Sequence, residues 1–589
     1  MTLSRRGGSD LEWSVEMEFH QSILIWHLAT EICYRIDYVS EPKPDNISSI
    51  FHDRGNCMSR YMLYLLVEHP NMLPIGMGQI KFRDLYSDLA DFMEMYISKP
   101  LKDVTEKEAS KMLMEIVNPN NMLVGGGDRS NFVILHGCKL ASQLRKFEQV
   151  HKWDIIVHVW MEMLGHAASQ CKGRHHAQQL RRGGEYLTHL WLLMAHFGYT
   201  DNFQILRSRQ IAGAVLRIAM KHDNMFSYMV YHSNNMERMY LEKVQQLVFF
   251  SIVMLAFKIS HVKIILSVVG SVILISRRQS SELYPTSWRN LWKEWQLQGL
   301  VLLSLTAQIV LVIFGNRRKY IAKTWIQAIV WSAYLLADSV ATMAIGILSN
   351  NVAEVYWNDN RHAFALDYEL MAFWAPFLLL HMGGMDTITA FSLEDNELWM
   401  RHFFTVIIQA VTTVYILLMS WSTSSHLSPL YIVVFFVGLV KYCERVWALF
   451  SASEKRFRDS IPEMPTSESK IMEACKLKQL EGYHVTAHQV LEVEVPVFDD
   501  SVPDCDDAIE ILLAHSFLEM VKRLFADLIL GFQDRDASRA IFESNNMDHH
   551  KALKVIEIEL GLIYDVMYTK AMIVYSSWGI AGRIIGRLT

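Results

Sequence analysis

Three ionisable side chains interrupt long apolar stretches of the sequence. Asp338 is the only charged residue in 324–353, and Asp386 is the only one in 370–393, a stretch that also contains His381. An aspartate in a hydrocarbon environment costs ~2.5–3.5 kcal/mol on insertion scales, so such a residue normally faces a partner inside a helix bundle. We therefore predict an intramembrane polar site made of Asp338, His381 and Asp386.

This predicted site has two interpretations. It could form a pathway for protons or cations, or it could join neighbouring helices, with the glycine pair after Met382 permitting close approach of the backbones. If Asp338 and Asp386 face each other across adjacent helices, two carboxylates at low dielectric cannot both stay ionised, and the pair would share a proton. Contacts between helices are the more common role of isolated polar residues in membranes.

The apolar stretches predict five membrane passes. Their uncharged lengths match a hydrocarbon core of ~30 Å, and lipid offers no hydrogen-bond partner to a backbone that is not helical. The segments are 295–316, 324–353, 370–393 and 403–440, the last divided in two by the polar break 422–429. A further stretch, 247–276, is apolar but carries Lys258, His261 and Lys263, and the sequence leaves open whether it spans.

Basic residues near the ends of these passes predict their orientation. Arg317, Arg318 and Lys319 follow the first pass, whereas the loop 349–369 carries four acidic residues and one arginine. Because basic loops stay on the cytoplasmic side, we expect 317–323, 394–402 and everything after 450 to be cytoplasmic. The loops 349–369 and 422–428 then lie on the opposite side.

Composition excludes several classes of protein. The 589 residues are 51% hydrophobic and 20% charged, too apolar for a disordered chain. The net charge of -6 is too balanced for a nucleic-acid-binding surface. Seven cysteines without a CxxC pair indicate neither a disulfide framework nor a zinc ribbon. No phosphate-binding, nucleophile-elbow or zinc-protease motif is present, so we predict neither an enzyme nor a cofactor.

One histidine-rich segment could contribute to a metal site. His158, Glu162 and His166 recur every four residues and share one face of a helix. The alternative is the polar face of an amphipathic helix whose apolar stripe includes Ile156 and Trp160. Since zinc sites need three or four converging ligands, we favour the amphipathic helix and predict no metal.

The segment Phe373–His402 (FWAPFLLLHMGGMDTITAFSLEDNELWMRH) closely resembles a plant family of multi-pass membrane proteins. This family is known as domain of unknown function 4220, usually followed by a C-terminal domain of unknown function 594. His158–Phe197 resembles that second domain. The resemblance covers nearly all of the chain, and it marks a family-signature cluster at the end of the third pass: Glu394, Asp395, Asn396, Trp399, Arg401 and His402. This cluster could form ion pairs that gate the bundle, dock the cytoplasmic helices, or mark the membrane boundary.

The order of the two domains is inverted relative to the family. The domain that normally comes last lies near the N-terminus, and we expect the chain to stop before a further span. A fusion of the tail of one family member to the head of another would explain this order, with the seam near 200–290. Transcripts that read continuously across this region would support a real fusion, and two separate messages would contradict it.

Together these observations predict an all-α protein with a multi-pass helical membrane domain and helical cytoplasmic domains. Its parts are a helical region at 1–235, a junction at 236–290, a five-span domain at 291–450 and a cytoplasmic helical region at 451–589. We expect a non-enzymatic integral membrane protein that contacts the lipid bilayer and binds proteins, not nucleic acid, through its cytoplasmic helices. The alternative is a proton- or cation-coupled transporter or channel that uses Asp338 and Asp386. The sequence does not specify the membrane.

Overall fold

The protein was analysed as a computed structural model. It describes residues 8–37, 46–74, 132–198, 286–320, 324–357, 365–421, 428–462 and 506–576 (apart from 529, 531, 545 and 546), together with Gly579. The regular elements of these ranges are helices, which confirms the all-α prediction. The possible span at 247–276 lies outside the described residues, as does the proposed fusion seam apart from 286–290.

Among the described residues, six α-helices precede residue 199. They are α1 (Phe19–Asp37), α2 (Asn46–Glu68), α3 (Phe132–Leu144), α4 (Gln149–Gln170), α5 (Gly173–Leu180) and α6 (Tyr186–His196). In α4, Trp153, Ile156, Trp160 and Leu164 recur at helical spacing, and all four are fully buried. A side chain on Gly55 of α2 would lie 3.1 Å from the Trp153 ring, so the glycine lets the two helices pack closely.

The middle of the chain forms a second group of helices, which we call the apolar bundle. It comprises α7 (Thr286–Gly315), α8 (Thr324–Trp357), α9 (Ala365–Met382), α10 (Leu393–Glu397), α11 (Trp399–Met419) and α12 (Ser428–Ser451). Three segments among the described residues are long and apolar enough to cross a membrane: Trp295–Lys319, Trp325–Glu354 and Trp399–Met419. The bundle also exposes large apolar side chains on its outside, such as Leu302, Val411 and Phe436. A bundle with this surface suits lipid better than water.

Two of the five predicted passes differ from the expected form. The stretch 370–393 is not one helix, because α9 ends at Met382 and Gly384 adopts a left-handed φ of 66°. Asp386, predicted within a spanning helix, therefore lies in the loop that follows α9. The last predicted pass belongs to α12, which continues beyond 440 and carries charged residues in its second half. An uncharged stretch shows where lipid could be, but not where a helix is interrupted.

The last helices of the chain pack with the first ones. They are α13 (Glu454–Asp459), α14 (Asp506–Ser516), α15 (Leu518–Phe525), α16 (Phe532–Phe542), α17 (His549–Tyr568) and α18 (Ala571–Val574). One continuous hydrophobic core combines Trp160 and Trp191 from the N-terminal part with Phe525 and Tyr564 from the C-terminal part. The rings of Trp191 and Phe525 lie edge to face at 5.0 Å. We call this unit, made of the described residues of 8–198 and 454–576, the helical body.

Candidate functional site at the end of helix α9

Helix α9 ends inside the apolar bundle, which leaves its last carbonyl groups without partners in the helix. Two neighbouring helices supply donors for the first of these carbonyls. The amide Nε2 of Gln308 on α7 donates to the carbonyl of His381 at 2.9 Å. Nη1 of Arg445 on α12 donates to the carbonyl of Met382, also at 2.9 Å. An interrupted helix is tolerated at membrane depth only where protein groups satisfy its backbone in this way.

Arg445 also forms the principal ion pair of the bundle. Its two terminal nitrogens donate to the two carboxylate oxygens of Asp338, at 2.7 and 2.9 Å. The side chain of Arg445 is only 4% exposed, and this bidentate geometry is the strongest that an arginine and a carboxylate can adopt. Asp338 is therefore paired with a cation of the protein. The predicted sharing of a proton between Asp338 and Asp386 depended on a direct contact between these two residues, and the described contacts instead pair Asp338 with Arg445.

A lysine from the helical body completes the end of α9. Lys570 lies between α17 and α18, and its Nζ donates to the carbonyls of Gly383 at 2.8 Å and Gly384 at 3.3 Å. Its backbone N–H donates to the carbonyl of Asp386 at 3.2 Å. Burial lowers the pKa of Lys570 to about 8, although the nearby Asp386 carboxylate acts in the opposite direction. The side chain has no solvent exposure, so the carbonyls take the place of water around the ammonium group.

Asp386 and His381, the other predicted site residues, contact different neighbours. The Asp386 carboxylate lies 3.5 Å from Nζ of Lys441 and 3.8 Å from Nζ of Lys570. Nδ1 of His381 lies 3.1 Å from the hydroxyl of Ser304 on α7. All three predicted residues therefore surround the end of α9, but each has its own partner and none of the described contacts joins them directly.

The arrangement places positive charge at the negative end of a helix dipole. In membrane transporters, the C-terminal ends of interrupted helices coordinate cations through free backbone carbonyls. Here the guanidinium of Arg445 and the ammonium of Lys570 donate hydrogen bonds to the corresponding carbonyls. The helix end is thus neutralised by the protein's own side chains.

A second buried cation joins the bundle to the helical body. Arg318 follows α7 and has no solvent exposure. It donates to the carbonyls of Ala390 and Phe391 at 3.2 and 3.0 Å, and to the hydroxyl of Tyr564 at 3.2 Å. Its guanidinium also lies 5.0 Å from the centre of the Phe391 ring. In the sequence this arginine indicated only orientation, since nothing in a basic loop distinguishes a buried guanidinium from a solvated one.

Two residues of the family-signature cluster also contact the helical body. Asn396 donates through Nδ2 to the carbonyl of Met567 at 3.0 Å. The Glu394 carboxylate accepts from Gln178 of α5 at 3.0 Å. Asp395 instead caps α10, because its carboxylate accepts the backbone N–H groups of the two residues before Leu393. Of the alternatives left by the sequence, the geometry favours docking of the helices.

The rest of the signature cluster lies on α11. Trp399 packs edge to face on Phe450 of α12, with ring centres 4.8 Å apart. His402 is buried, and Arg401 is exposed. Trp399 therefore packs α11 against α12, and the three residues form no ion pair among the described contacts that could act as a gate.

A buried polar chain connects the N-terminal and C-terminal parts of the helical body. Nδ1 of His196 on α6 lies 2.6 Å from the Ser538 hydroxyl on α16, and its Nε2 lies 2.8 Å from the Glu559 carboxylate on α17. Burial raises the pKa of Glu559, and His196 opposes that shift. A serine, a histidine and an acid in series are found in hydrolases. Here all three are fully buried, so a substrate cannot reach the serine.

The histidine-rich segment does not assemble a metal site within the described residues. His158 is buried, and its Nδ1 lies 2.7 Å from the carbonyl of Asp154 on the same helix. His166 is exposed and packs against the ring of Phe19. No group of three or more metal-ligating side chains is close enough together in this part of the chain. His158 was expected on a solvated polar face, but the core surrounds α4 on that side as well.

Family models match both parts of this architecture. The model of Domain of unknown function (DUF4220) matches residues 331–588, and that of Protein of unknown function, DUF594, matches residues 145–199. These are the two domains that the sequence resembles. The DUF594 segment precedes the DUF4220 segment, in agreement with the inverted order seen in the sequence. Comparisons with curated proteins and with solved structures found no match.

The DUF594 and DUF4220 segments are in contact despite this inverted order. His196 of the DUF594 segment pairs with Glu559 of the DUF4220 segment. The carbonyl of Ala177 accepts from the Tyr568 hydroxyl at 3.1 Å, and the N–H of Gly173 donates to the Asp527 carboxylate at 2.7 Å. A side chain on Gly173 would lie 2.5 Å from the carbonyl oxygen of Leu524, so this close approach requires a glycine.

Proposed function

We propose that the protein is a multi-pass integral membrane protein whose helical body lies in the cytoplasm and binds other proteins without catalysing a reaction. The placement is supported by the two loops between passes that the sequence assigns to the cytoplasm. Lys319 bonds the Asp565 carboxylate at 3.0 Å, and Glu394 accepts from Gln178. Both loops therefore contact the same helical body, as they would if they lay on one side of a membrane. Glu454, which follows the last pass, pairs with Arg174 within that body.

Exposed apolar residues on α14 support the proposal that the helical body binds other proteins. Ile509, Ile511 and Leu512 are each about half exposed, at 51, 53 and 47%, while Leu513 of the same helix and Phe517 just after it are buried in the core. Neighbouring apolar side chains on a water-facing surface are typical of binding sites for proteins. Elsewhere in the described helical body, large apolar side chains are exposed at Val150, Met572 and Tyr575.

The polar clusters of the helical body support a non-catalytic role. Glu185 is almost fully buried and accepts hydrogen bonds from the hydroxyls of Tyr61 and Tyr64, at 3.3 and 3.0 Å. The His196 chain is likewise enclosed by the core. Both clusters use their polar atoms to join helices, as expected of satisfied buried groups.

Proximity labelling tests this proposal. A labelling enzyme inserted after Pro462 should modify cytoplasmic proteins, whereas the same enzyme inserted after Trp357 should modify proteins of the opposite compartment. Replacing Ile509 and Leu512 by serine should reduce labelling of the bound proteins by about tenfold, because apolar anchors dominate the affinity of protein interfaces. Val150→Ser, which changes an exposed apolar residue outside α14, should leave the labelled proteins unchanged. Equal labelling of the same proteins by the α14 variant would contradict the proposal.

Cation-coupled transport is a second candidate function, favoured by the interrupted helix α9. The carbonyls at its end and the nearby Asp338 and Asp386 form the kind of arrangement that binds cations in transporters. Their occupation by Arg445 and Lys570 favours a structural role instead. We expect purified protein in sealed vesicles to pass no more protons, sodium or potassium ions than empty vesicles. A flux that Asp338→Asn or Asp386→Asn abolishes would establish transport.

A further inference from the structure

A cleft opens where the helical body meets the end of α7. It has a volume of about 540 Å³, within the range of sites that hold small molecules. One wall is the Gly183–Gly184 turn, where φ is 90° and 77° and the chain passes without side chains. Other walls are formed by α17, from His550 to Tyr564, and by Lys319 and Tyr320.

The α17 wall presents both charge and apolar surface. Lys554, Glu557, Gly561 and Tyr564 are spaced by three, four and three residues, so they follow one face of the helix. A side chain on Gly561 would lie 3.1 Å from Nζ of Lys319. The glycine therefore leaves room for this ammonium group against the helix.

Two lysines mark the two ends of the cleft. Nζ of Lys319 lies beside Gly561, and Lys554 is two helical turns earlier, a distance of about 10 Å along α17. Each lysine also has a carboxylate partner on the protein, since Lys319 bonds Asp565 at 3.0 Å and Lys554 lies 3.3 Å from Glu510. The cleft is therefore rich in charge of both signs, and an anionic ligand would add to these contacts or exchange with them.

One end of the cleft lies where an apolar, span-length segment of the chain ends. Lys319 ends the apolar segment that starts at Trp295, and the next residue, Tyr320, is 73% exposed. Tyrosines and lysines at this position lie at the level of lipid head groups. Lys554 lies farther along α17 from Lys570, the residue that enters the bundle.

We propose that this cleft binds the head group of a phosphorylated phospholipid. The phosphate that joins the head group to glycerol lies at Lys319, at the membrane surface. A second phosphate on the far side of the head group lies at Lys554 and its neighbour His550. Leu560, which lines the cleft between Gly561 and Lys554 on α17, contacts the inositol ring of the head group between the two phosphates. This inference rests on the membrane placement of α7, and it is independent of protein binding by α14.

Lipid binding by the full-length protein tests this site. The protein, purified in detergent, is mixed with short-chain phosphatidylinositol 4-phosphate, phosphatidylinositol or phosphatidylcholine, and the bound lipid is counted by native mass spectrometry. We expect retention to fall in that order. Lys554→Gln should weaken binding of the phosphorylated lipid about fivefold, as expected for one lysine near an anionic head group, and should change that of phosphatidylinositol little. Lys319→Gln should weaken binding of both.

A neighbouring lysine provides the control for these variants. Lys551→Gln removes the same charge from an exposed position of α17 that does not line the cleft, and it should have no effect. Thermal unfolding of each variant identifies any loss of folding. Equal losses in the Lys551 and Lys554 variants, or equal retention of phosphatidylcholine, would overturn the proposal. Free inositol 1,4-bisphosphate that binds as tightly as the lipid would replace a lipid site by a site for a soluble phosphate ester.

Discussion

Replacing Arg445 by methionine is expected to destabilise the protein by about 3–5 kcal/mol, because it leaves the Asp338 carboxylate without its partner inside the apolar bundle. The change also removes the donor to the Met382 carbonyl at the end of α9. Thermal unfolding of the detergent-purified protein and its abundance in membranes measure the effect. Both should fall well below those of the unchanged protein.

Two further variants separate the charge from its geometry. Arg445→Lys keeps the positive charge but loses the bidentate contact, and it should be intermediate. Combining Arg445→Met with Asp338→Leu removes both charges, and it should recover part of the lost stability, since an apolar pair replaces a buried ion pair at little cost. A double variant that is no better than Arg445→Met alone would mean that the missing donor to Met382, rather than the unpaired carboxylate, is responsible.

The sequence predicts the class of structure from features that are local in the chain. Apolar stretches such as 295–316 need only length and hydropathy to indicate a spanning helix, and this segment forms a helix long and apolar enough to cross a membrane. The signature motif indicates the resemblance to the family because its residues are contiguous in the sequence. In the same way, Asp338 and Asp386 are recognised as unusual because an isolated charge in an apolar stretch is visible without any knowledge of contacts.

The partners of these residues could not be predicted in the same way. Arg445 lies beyond the uncharged stretch 403–440 and resembles a membrane-flanking charge, although α12 carries it into the bundle. Lys570 is separated from Gly383 by nearly two hundred residues, and only the packing of α17 on the bundle brings them together. Hydropathy indicates which segments of the chain are apolar. It does not indicate which residues of different helices pair, because that depends on how the helices pack.

The break in α9 illustrates the same limit. A glycine pair in an apolar stretch is compatible with two structures. One is close packing of helices, which we predicted from the sequence, and the other is the end of a helix. The structure contains both features. Gly384 turns the chain with a positive φ, and a side chain on Gly383 would lie 2.9 Å from Cβ of Lys441. The loop can be buried here because Arg445, Lys570 and Gln308 are available to its carbonyls.

Replacing Glu559 by leucine is expected to separate the DUF594 segment from the rest of the protein. The change leaves Nε2 of His196 without its partner at a fully buried position, which should cost about 1–3 kcal/mol. Glu559→Gln retains an acceptor for the imidazole and should cost less, because the hydrogen bond survives. Glu557→Gln changes an exposed residue of the same helix and should leave the stability unchanged.

Cutting the chain between the two segments allows their association to be measured directly. A protease site inserted between residues 199 and 285 allows the covalent link between the two segments to be cut after purification. The N-terminal fragment of the unchanged protein and of Glu557→Gln should stay bound to the membrane fragment during gel filtration, since one hydrophobic core holds both. In Glu559→Leu it should dissociate. If the leucine variant holds its fragment as firmly as the unchanged protein, the apolar core around Trp191 and Phe525 maintains the interface without the buried pair.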